Sequence, residues 1–373
     1  MARSHHPAIP LKRGHMPSGF DISIDAYTNN HAVRIPADYG PKQALSGFDP
    51  DYRNIIDYIV RITHRIWEDR DVEYIADCYS PDSRVFDDYG LQTGNAKIIS
   101  DTHHTTGAFS DIVLDAEEVV WAGNDQVGFR SSHRTRILGT NDGDSKYGVA
   151  TGKPVDLLVI ANCVSKANDI FLEHVLYNTS GMLMQLGIDP LEEAKRLAEN
   201  PLPGWPRSVE TWAMLKSEGG PSQPLSQAEP VNGFDPDRFA RKTHANLYLY
   251  EDFEALRACY AEALSFEGTS LRKSDGFDGW SDQAHALLTT LSDRRFQVDE
   301  VYWMGNDNDG YLISTRWSMD ATYSGAGFAG SATDKPVQVW GITQQEIKDG
   351  IITREWMLFN ELDVMIQCAA ARE

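Results

Sequence analysis

One pattern occurs twice in this chain of 373 residues. Trp121-Ala-Gly-Asn-Asp125 returns as Trp303-Met-Gly-Asn-Asp307, an offset of 182 residues (303 − 121). The same offset, without a gap, aligns further identical pairs: Gly128 with Gly310, Ser132 with Ser314, Arg134 with Arg316, Glu173 with Glu355, Asn178 with Asn360, and Gln185 with Gln367. One residue less, an offset of 181, aligns Asp71, Glu73, Cys78 and Tyr79 with Asp252, Glu254, Cys259 and Tyr260. A register held over this length predicts two copies of one domain.

The repeat predicts how the chain divides. We expect an N-terminal arm at 1–44, a first domain at 45–188, a connector rich in proline at 189–231 and a second domain at 232–373. Inside the connector, residues 191–199 have the pattern of a short helix, and the prolines indicate loop for the rest.

Each copy has the same predicted order of elements. Apolar residues recur at helical spacing from Ile55 to Ile66, and a second short helix is expected to begin near Asp71. After Phe86 the pattern changes to strands separated by Gly, Asn and Asp turns, at 119–121, 127–138, 155–164 and 170–178. Helices followed by an antiparallel meander predict an α+β fold.

Composition limits the partners. The net charge of −21 repels phosphates and anionic lipid, so we expect neither nucleic acid nor a membrane as partner. No segment has the apolar length of a signal peptide or a membrane span, which predicts a cytoplasmic protein. The four cysteines form no CxxC pair and are predicted to be buried, reduced thiols.

The order of several motifs resembles tandem SnoaL-like (polyketide cyclase-like) domains of the nuclear transport factor 2-like superfamily. In the first copy the motifs are Phe109 to Asp115, Trp121 to Asp125, Gly148 to Lys153, Glu173 to Asn178 and Gln185-Leu-Gly187. The second copy keeps the first and last of these, whereas Gly-Ser-Ala-Thr-Asp334 replaces the Ala-Thr-Gly segment. The resemblance implies two cone-shaped domains, each with helices packed on a strongly curved antiparallel sheet and a pocket in the mouth of the cone. It also implies pairing through the sheets, as a pseudo-dimer within the chain, with further homo-oligomers left open.

Catalytic roles follow only partly from the resemblance, because this superfamily includes lyases, isomerases, cyclases and non-catalytic modules. In SnoaL-like cyclases the position of Asn178 typically holds an Asp that acts as general base. Both copies have Asn there, and an amide does not accept a proton at neutral pH. Strand alternation from Asn178 places His174 on the pocket face and turns Glu173 and Glu355 away from it.

His174 is the candidate replacement for the lost base, because imidazole titrates near neutral pH. The second copy has Trp356 at this position, so we predict an active first domain and a second domain that serves as scaffold. His133, which is also special to the first copy, and Asp88 are the candidate helpers. Two alternatives stay open: His174 as a packed core residue, and Asp88 as a turn cap.

The candidate substrate-binding side chains are polar or aromatic groups of the first copy. They are Asn178, Tyr89, His104, Tyr58, Trp67 and Tyr147. The alternatives are a solvated or capping role for His104 and an ordinary core role for the aromatic residues. No ligand set has metal-site spacing, and nucleotide-binding and zinc-hydrolase motifs are absent from the sequence, so we expect no metal and no cofactor.

Two functions remain after these steps. The first is a cofactor-independent lyase, isomerase or cyclase that acts by acid–base proton transfer. Its substrate would be a small apolar or aromatic carbonyl or hydroxyl compound, such as a lignin- or polyketide-derived aromatic encountered in aromatic compound catabolism. The second is a non-catalytic module for binding a small molecule or for assembly, which the missing Asp in both copies favours.

Overall fold

The computed structural model describes residues 42–201, 209–217, 233–307 and 310–370. The predicted arm at 1–44 therefore lies almost entirely outside the described residues. The chain divides into two units at Tyr177, with Asp88–Gly90 grouped with the second unit. The predicted domain bounds follow the repeat in the sequence and stay a prediction, since this division is drawn at a different place. In the described part of the chain, no helix is long and apolar enough to cross a membrane.

The first unit contains one six-stranded sheet with helices packed on it. In chain order its elements are α1 (Ile55–Trp67), α2 (Ile75–Cys78), β1 (Tyr79–Asp87), β2 (Gly90–Thr93), α3 (Asn95–Ala108), β3 (Val113–Asn124), β4 (Gly128–Thr140), β5 (Pro154–Lys166) and β6 (Asp169–Leu176). The strand order is β2-β1-β6-β5-β4-β3. The apolar stripe of α1 is buried, and the helix packs against β3 and β4, as its periodicity predicts.

The second unit repeats this architecture. Its helices are α4 (Thr179–Leu186), α5 (Pro190–Glu199), α6 (Val209–Ser217), α7 (Pro236–Ala245), α8 (Phe253–Arg257), α9 (Gly276–Leu288) and α10 (Glu361–Ala369). Its strands are β7 (Tyr260–Gly268), β8 (Lys273–Asp275), β9 (Leu291–Asn306), β10 (Gly310–Tyr323), β11 (Lys335–Lys348) and β12 (Ile351–Phe359). The strand order, β8-β7-β12-β11-β10-β9, matches that of the first sheet position by position.

The α+β class and the two sheets agree with the sequence, but the predicted antiparallel pairing is wrong at one place in each sheet. Strands β1 and β6 pair in parallel, and so do β7 and β12. Each sheet is therefore mixed. The sequence gives little sign of β1, because Pro81 lies within this strand and its buried and exposed residues do not alternate regularly. Within the connector, the helix at 191–199 is confirmed, whereas α6 was expected to be loop.

The repeated Trp-x-Gly-Asn-Asp motif marks the tight turn between two long strands. Gly123 and Gly305 both have positive φ angles, +107° and +115°. A Cβ atom at Gly123 would lie 2.2 Å from the carbonyl oxygen of Gly128, and one at Gly305 would lie 2.1 Å from that of Gly310. Only glycine fits this turn, which explains why the motif occurs in both copies.

A buried ion pair is also repeated. The Arg134 guanidinium lies 2.9 Å from the Glu117 carboxylate, and that of Arg316 lies 3.2 Å from Asp299, at the matching positions on the neighbouring strands. Because Arg134 and Arg316 occupy matching positions in the two copies, the sequence predicts a structural role for them, as an ion pair between sheets. The ion pairs exist, but each joins neighbouring strands of one sheet. The pairs lie within each sheet, where each charge offsets the cost of burying the other. None of the four cysteines forms a disulfide.

Asn360 joins the end of β12 to the start of α10 through three hydrogen bonds, two of which are buried. Its Oδ1 accepts from the backbone N–H of Trp340 at 2.9 Å. Its Nδ2 donates to the carbonyl of Gln338 at 3.1 Å and to the Asp363 carboxylate at 2.9 Å. The side chain therefore serves the fold and does not line a pocket.

We predict that Asn360→Ala lowers the free energy of unfolding by about 3 kcal/mol, because buried donors and acceptors lose their partners. Urea denaturation checks this value. Asn360→Asp is the matched variant, since it keeps the acceptor for Trp340 but places a second carboxylate against Asp363. It should be destabilised at neutral pH and recover part of its stability in acid. An Asn360→Ala protein as stable as the wild type would contradict this role.

Candidate active site

A cavity of about 390 Å³ lies within the second unit, between the sheet and its helices. Its walls come from the end of α7 and the π-helical turn Asn246–Tyr250, and from β7, α9, β11 and β12. The lining is mostly apolar and includes Leu247, Phe266, Trp280, Leu287, Met357 and Phe359. This size and lining are typical of a site for one small, largely apolar molecule.

Glu355 is a carboxylate in the wall of this cavity and is only 4% exposed. Alternate residues of β12, Glu355, Met357 and Phe359, line the cavity, as strand geometry requires. Three donors hold the carboxylate: the Tyr260 hydroxyl at 2.6 Å, the Trp280 indole N–H at 2.8 Å and the Gln345 amide at 2.7 Å. Burial raises the pKa of Glu355, and these three hydrogen bonds oppose that rise.

The two oxygens of Glu355 are not equivalent. Oε2 accepts from both Tyr260 and Gln345, whereas Oε1 accepts from Trp280. A carboxylate oxygen has two lone-pair positions. Oε1 therefore keeps capacity to accept a hydrogen bond or a proton from a ligand in the cavity.

His244 and Tyr248 line the same cavity one helical turn apart. The His244 Nδ1–H donates to the carbonyl of Ala240 at 2.8 Å, which leaves the lone pair of the neutral ring on Nε2. Burial lowers the pKa of His244 to about 4, so the ring is neutral at physiological pH. Burial and the nearby Glu355 raise the pKa of Tyr248, which keeps its hydroxyl protonated and able to donate.

The predicted orientation of the last strand is wrong. Glu355 was expected to face away from the pocket, but it lines the cavity. The alternation was counted back from Asn178, yet β6 ends at Leu176 and Asn178 has left-handed backbone geometry. The alternation of side chains between the two faces of a strand does not apply to a residue outside the strand, so Asn178 is not a valid reference point. The second domain, predicted to be a scaffold, is the one that contains this cavity.

His174 is 2% exposed, and its ring stacks on Phe86 with 4.9 Å between ring centroids. The geometry matches the packed histidine that the sequence left open as an alternative. His133 is buried in β4, and burial, with His64 and Arg134 nearby, lowers its pKa to about 3. Asp88 lies in the turn between β1 and β2 and accepts a hydrogen bond from the Thr179 hydroxyl, in agreement with the turn alternative.

The predicted substrate-binding residues are dispersed. Asn178 accepts from the backbone N–H of Ser270 at 2.7 Å, and Tyr58 is fully buried with its hydroxyl on the carbonyl of Asn168. His104 is exposed on α3 and contacts the carbonyl of Ser100.

The three remaining aromatic candidates occupy a turn, a helix end and a loop. Tyr89 is buried in the turn between β1 and β2, Trp67 is half-buried at the end of α1, and Tyr147 is half-buried in the loop that joins β4 to β5. None of the predicted site residues is among those that line the cavity. In the described residues there is no group of three or more His, Cys, Asp or Glu side chains positioned to hold a metal ion.

Sequence reasoning missed Glu355, His244 and Tyr248. A signal for Glu355 was present in the repeat, because both copies keep a Glu in the last strand and a Tyr at matching positions, Tyr79 and Tyr260. The structure shows that these residues are partners, since the Tyr79 hydroxyl donates to Glu173 at 2.8 Å just as Tyr260 donates to Glu355.

Comparison with known proteins identifies the second repeat. Residues 239–368 match the family model described as SnoaL-like polyketide cyclase. Among solved structures, IdmH from Streptomyces antibioticus is 17% identical and covers 36% of this chain and 98% of its own, with a TM-score of 0.31. TsrD from Streptomyces laurentii is also 17% identical and covers 37% of this chain and 100% of its own, with a TM-score of 0.32. No curated protein sequence matches the chain.

Glu173, the counterpart of Glu355 in the first unit, yields a prediction about stability. Burial raises its pKa to about 7, above the ordinary value of 4.5. The folded state therefore holds its proton at a higher pH than the unfolded state does, so this contribution to stability is present below about pH 4.5 and is lost as the pH rises to about 7. The Gln side chain in Glu173→Gln is neutral at every pH. This variant should therefore not lose stability in this pH range through ionisation at position 173.

We expect Glu173→Gln to gain stability relative to the wild type between those pH values, on the order of 3 kcal/mol when Glu173 is fully ionised. Urea denaturation of both proteins from pH 4.5 to 8 measures the difference. A difference that does not vary with pH would show that Glu173 titrates in the folded protein as it does in the unfolded chain.

Proposed function

We propose that the second, SnoaL-like repeat is a cofactor-independent acid–base catalyst, a lyase, isomerase or cyclase. Its substrate is a small, mostly apolar or aromatic compound that carries a carbonyl or hydroxyl group, as polyketide- and lignin-derived aromatics do. One observation carries the proposal: a carboxylate with a raised pKa, Glu355, lies in the wall of an apolar cavity that can hold one small molecule. The match to the SnoaL-like polyketide cyclase model agrees with it.

Glu355 is the proposed base. Its Oε1 accepts a proton from a carbon next to the substrate carbonyl, and the C–H electron pair moves to form an enolate. The raised pKa makes the carboxylate a stronger base than an exposed Glu, and the three fixed donors keep it oriented. The proton stays on Glu355 and is available for the second half of the reaction.

Tyr248 and His244 are the proposed binding partners of the substrate oxygens. The Tyr248 hydroxyl donates to the carbonyl oxygen, where negative charge develops when the enolate forms. The His244 Nε2 accepts from a substrate hydroxyl. Apolar walls around them exclude water, which strengthens both contacts.

The fate of the enolate decides the reaction type. Return of the proton to another carbon gives an isomerase, attack of the enolate carbon on a second carbonyl gives a cyclase, and loss of a β-substituent gives a lyase. In each case Glu355 can return the proton that it took, so no net acid or base is consumed.

A second role fits the first repeat. Its two candidate catalytic histidines, His133 and His174, are buried in the fold, and His174 stacks on Phe86. We therefore propose that the first repeat is the structural copy and the second repeat the active one, which reverses the roles that the sequence suggested.

The test is exchange of the α-protons of 1-tetralone, a bicyclic aromatic ketone, followed by NMR in heavy water. The wild type should accelerate this exchange, and Glu355→Gln should reduce the acceleration by about 10²–10⁴-fold because an amide is not a base. Glu173→Gln is the matched control in the other repeat and should keep the wild-type rate within about threefold. Loss of exchange in Glu173→Gln with retention in Glu355→Gln would contradict the proposal.

A further inference from the structure

We propose that Arg272 selects a substrate that carries a carboxylate at the end remote from the group on which Glu355 acts. This inference rests on the proposed function of the cavity and names the class of molecule that it takes. The substrate would be an aromatic or otherwise apolar body with a carbonyl or hydroxyl at one end and an anionic carboxylate at the other.

Charge within the cavity is the first support. Among the residues that line it, Glu355 and Arg272 are the only ones with formally charged side chains, and Arg272 carries the only positive charge. Glu355 is almost fully buried, whereas the Arg272 side chain is 35% exposed. The cavity therefore combines a buried carboxylate with a partly exposed guanidinium that an entering anion can reach.

The Arg272 guanidinium is held in place by two contacts and keeps further N–H donors for a ligand. One terminal nitrogen donates to the carbonyl of Thr269 at 2.9 Å, and the other lies 2.6 Å from the buried carboxylate of Glu361. These contacts use two of the five N–H groups that a guanidinium has. The remaining N–H groups suit the planar, two-oxygen geometry of a ligand carboxylate.

The turn that bears Arg272 is fixed by its neighbours. Ser270 and Leu271 have left-handed backbone geometry, with φ of +56° and +62°. The Ser270 N–H donates to Asn178 at 2.7 Å. The Ser270 hydroxyl contacts the Glu361 carboxylate and lies 2.8 Å from the Ser180 hydroxyl, which donates to the same carboxylate. Glu361 thus binds both the turn and the guanidinium. Strained backbone that is held by several contacts, as in this turn, is common beside ligand sites.

Register along β12 gives the distance between the two ends. The backbone N–H of Phe359 donates to the Thr269 hydroxyl at 3.1 Å, so the turn lies beside Phe359. Phe359 is four residues beyond Glu355, about 13 Å along a strand. A bicyclic aromatic ring system with one oxygen substituent at each end fits within a gap of this order.

The experiment compares 6-hydroxy-2-naphthoic acid, which is anionic at neutral pH, with its neutral methyl ester by isothermal titration calorimetry. We expect the wild type to bind the acid at least about tenfold more tightly than the ester, because the ester cannot form the ion pair. Arg272→Gln should remove the preference and Arg272→Lys should keep part of it. Glu173→Gln should keep the full ratio, since Glu173 lies in the first unit and not in this cavity.

Equal affinity of the wild type for acid and ester overturns the proposal, and so does a preference that persists in Arg272→Gln. The wild-type ratio and Arg272→Lys decide the matter if Arg272→Gln does not fold, because Lys keeps a positive charge beside Glu361. Failure of the proposed function would appear separately, as 1-tetralone exchange that does not depend on Glu355.

Discussion

A carboxylate buried in an apolar interior is costly unless donors surround it, and the second unit is built around such a group. The donors to Glu355 come from three different elements: Tyr260 begins β7, Trp280 lies on α9 and Gln345 lies on β11. The hydrogen bonds to Glu355, which lies on β12, therefore hold α9 and the adjacent strands β7, β12 and β11 in place relative to one another. The same residues form the wall of the cavity, so the requirement of the fold and that of the site coincide.

Both repeats contain a buried Glu held by hydrogen-bond donors, but the donors differ. In the first unit Glu173 is held by Tyr79 and Cys163, where Cys163 occupies the position of Gln345 on the neighbouring strand. The offset of 181 residues places Ile99 where the second repeat has Trp280. The second repeat therefore gives its carboxylate an extra indole donor and a stronger amide donor, and both keep the carboxylate ordered beside a cavity.

The sequence was sufficient for the repeat, the α+β class and the order of strands β3 to β6, because each depends on periodicity or on identical positions in both copies. It was not sufficient for the inner face of β12. Alternation shows which residues share a face but not which face is inside, and both faces of this strand contain apolar residues. The histidines special to the first copy were misleading, since a buried histidine can belong to the core, as the stacking of His174 on Phe86 shows.

A crystal structure of the protein with bound 1-tetralone would test the proposed role of Glu355 most directly. We expect the ketone in the cavity of the second repeat, with its carbonyl oxygen about 3 Å from the Tyr248 hydroxyl and its α-carbon facing Oε1 of Glu355. The ketone bound in the first repeat with its oxygen on His174, or bound in the second repeat with the α-carbon turned away from Glu355, would contradict it.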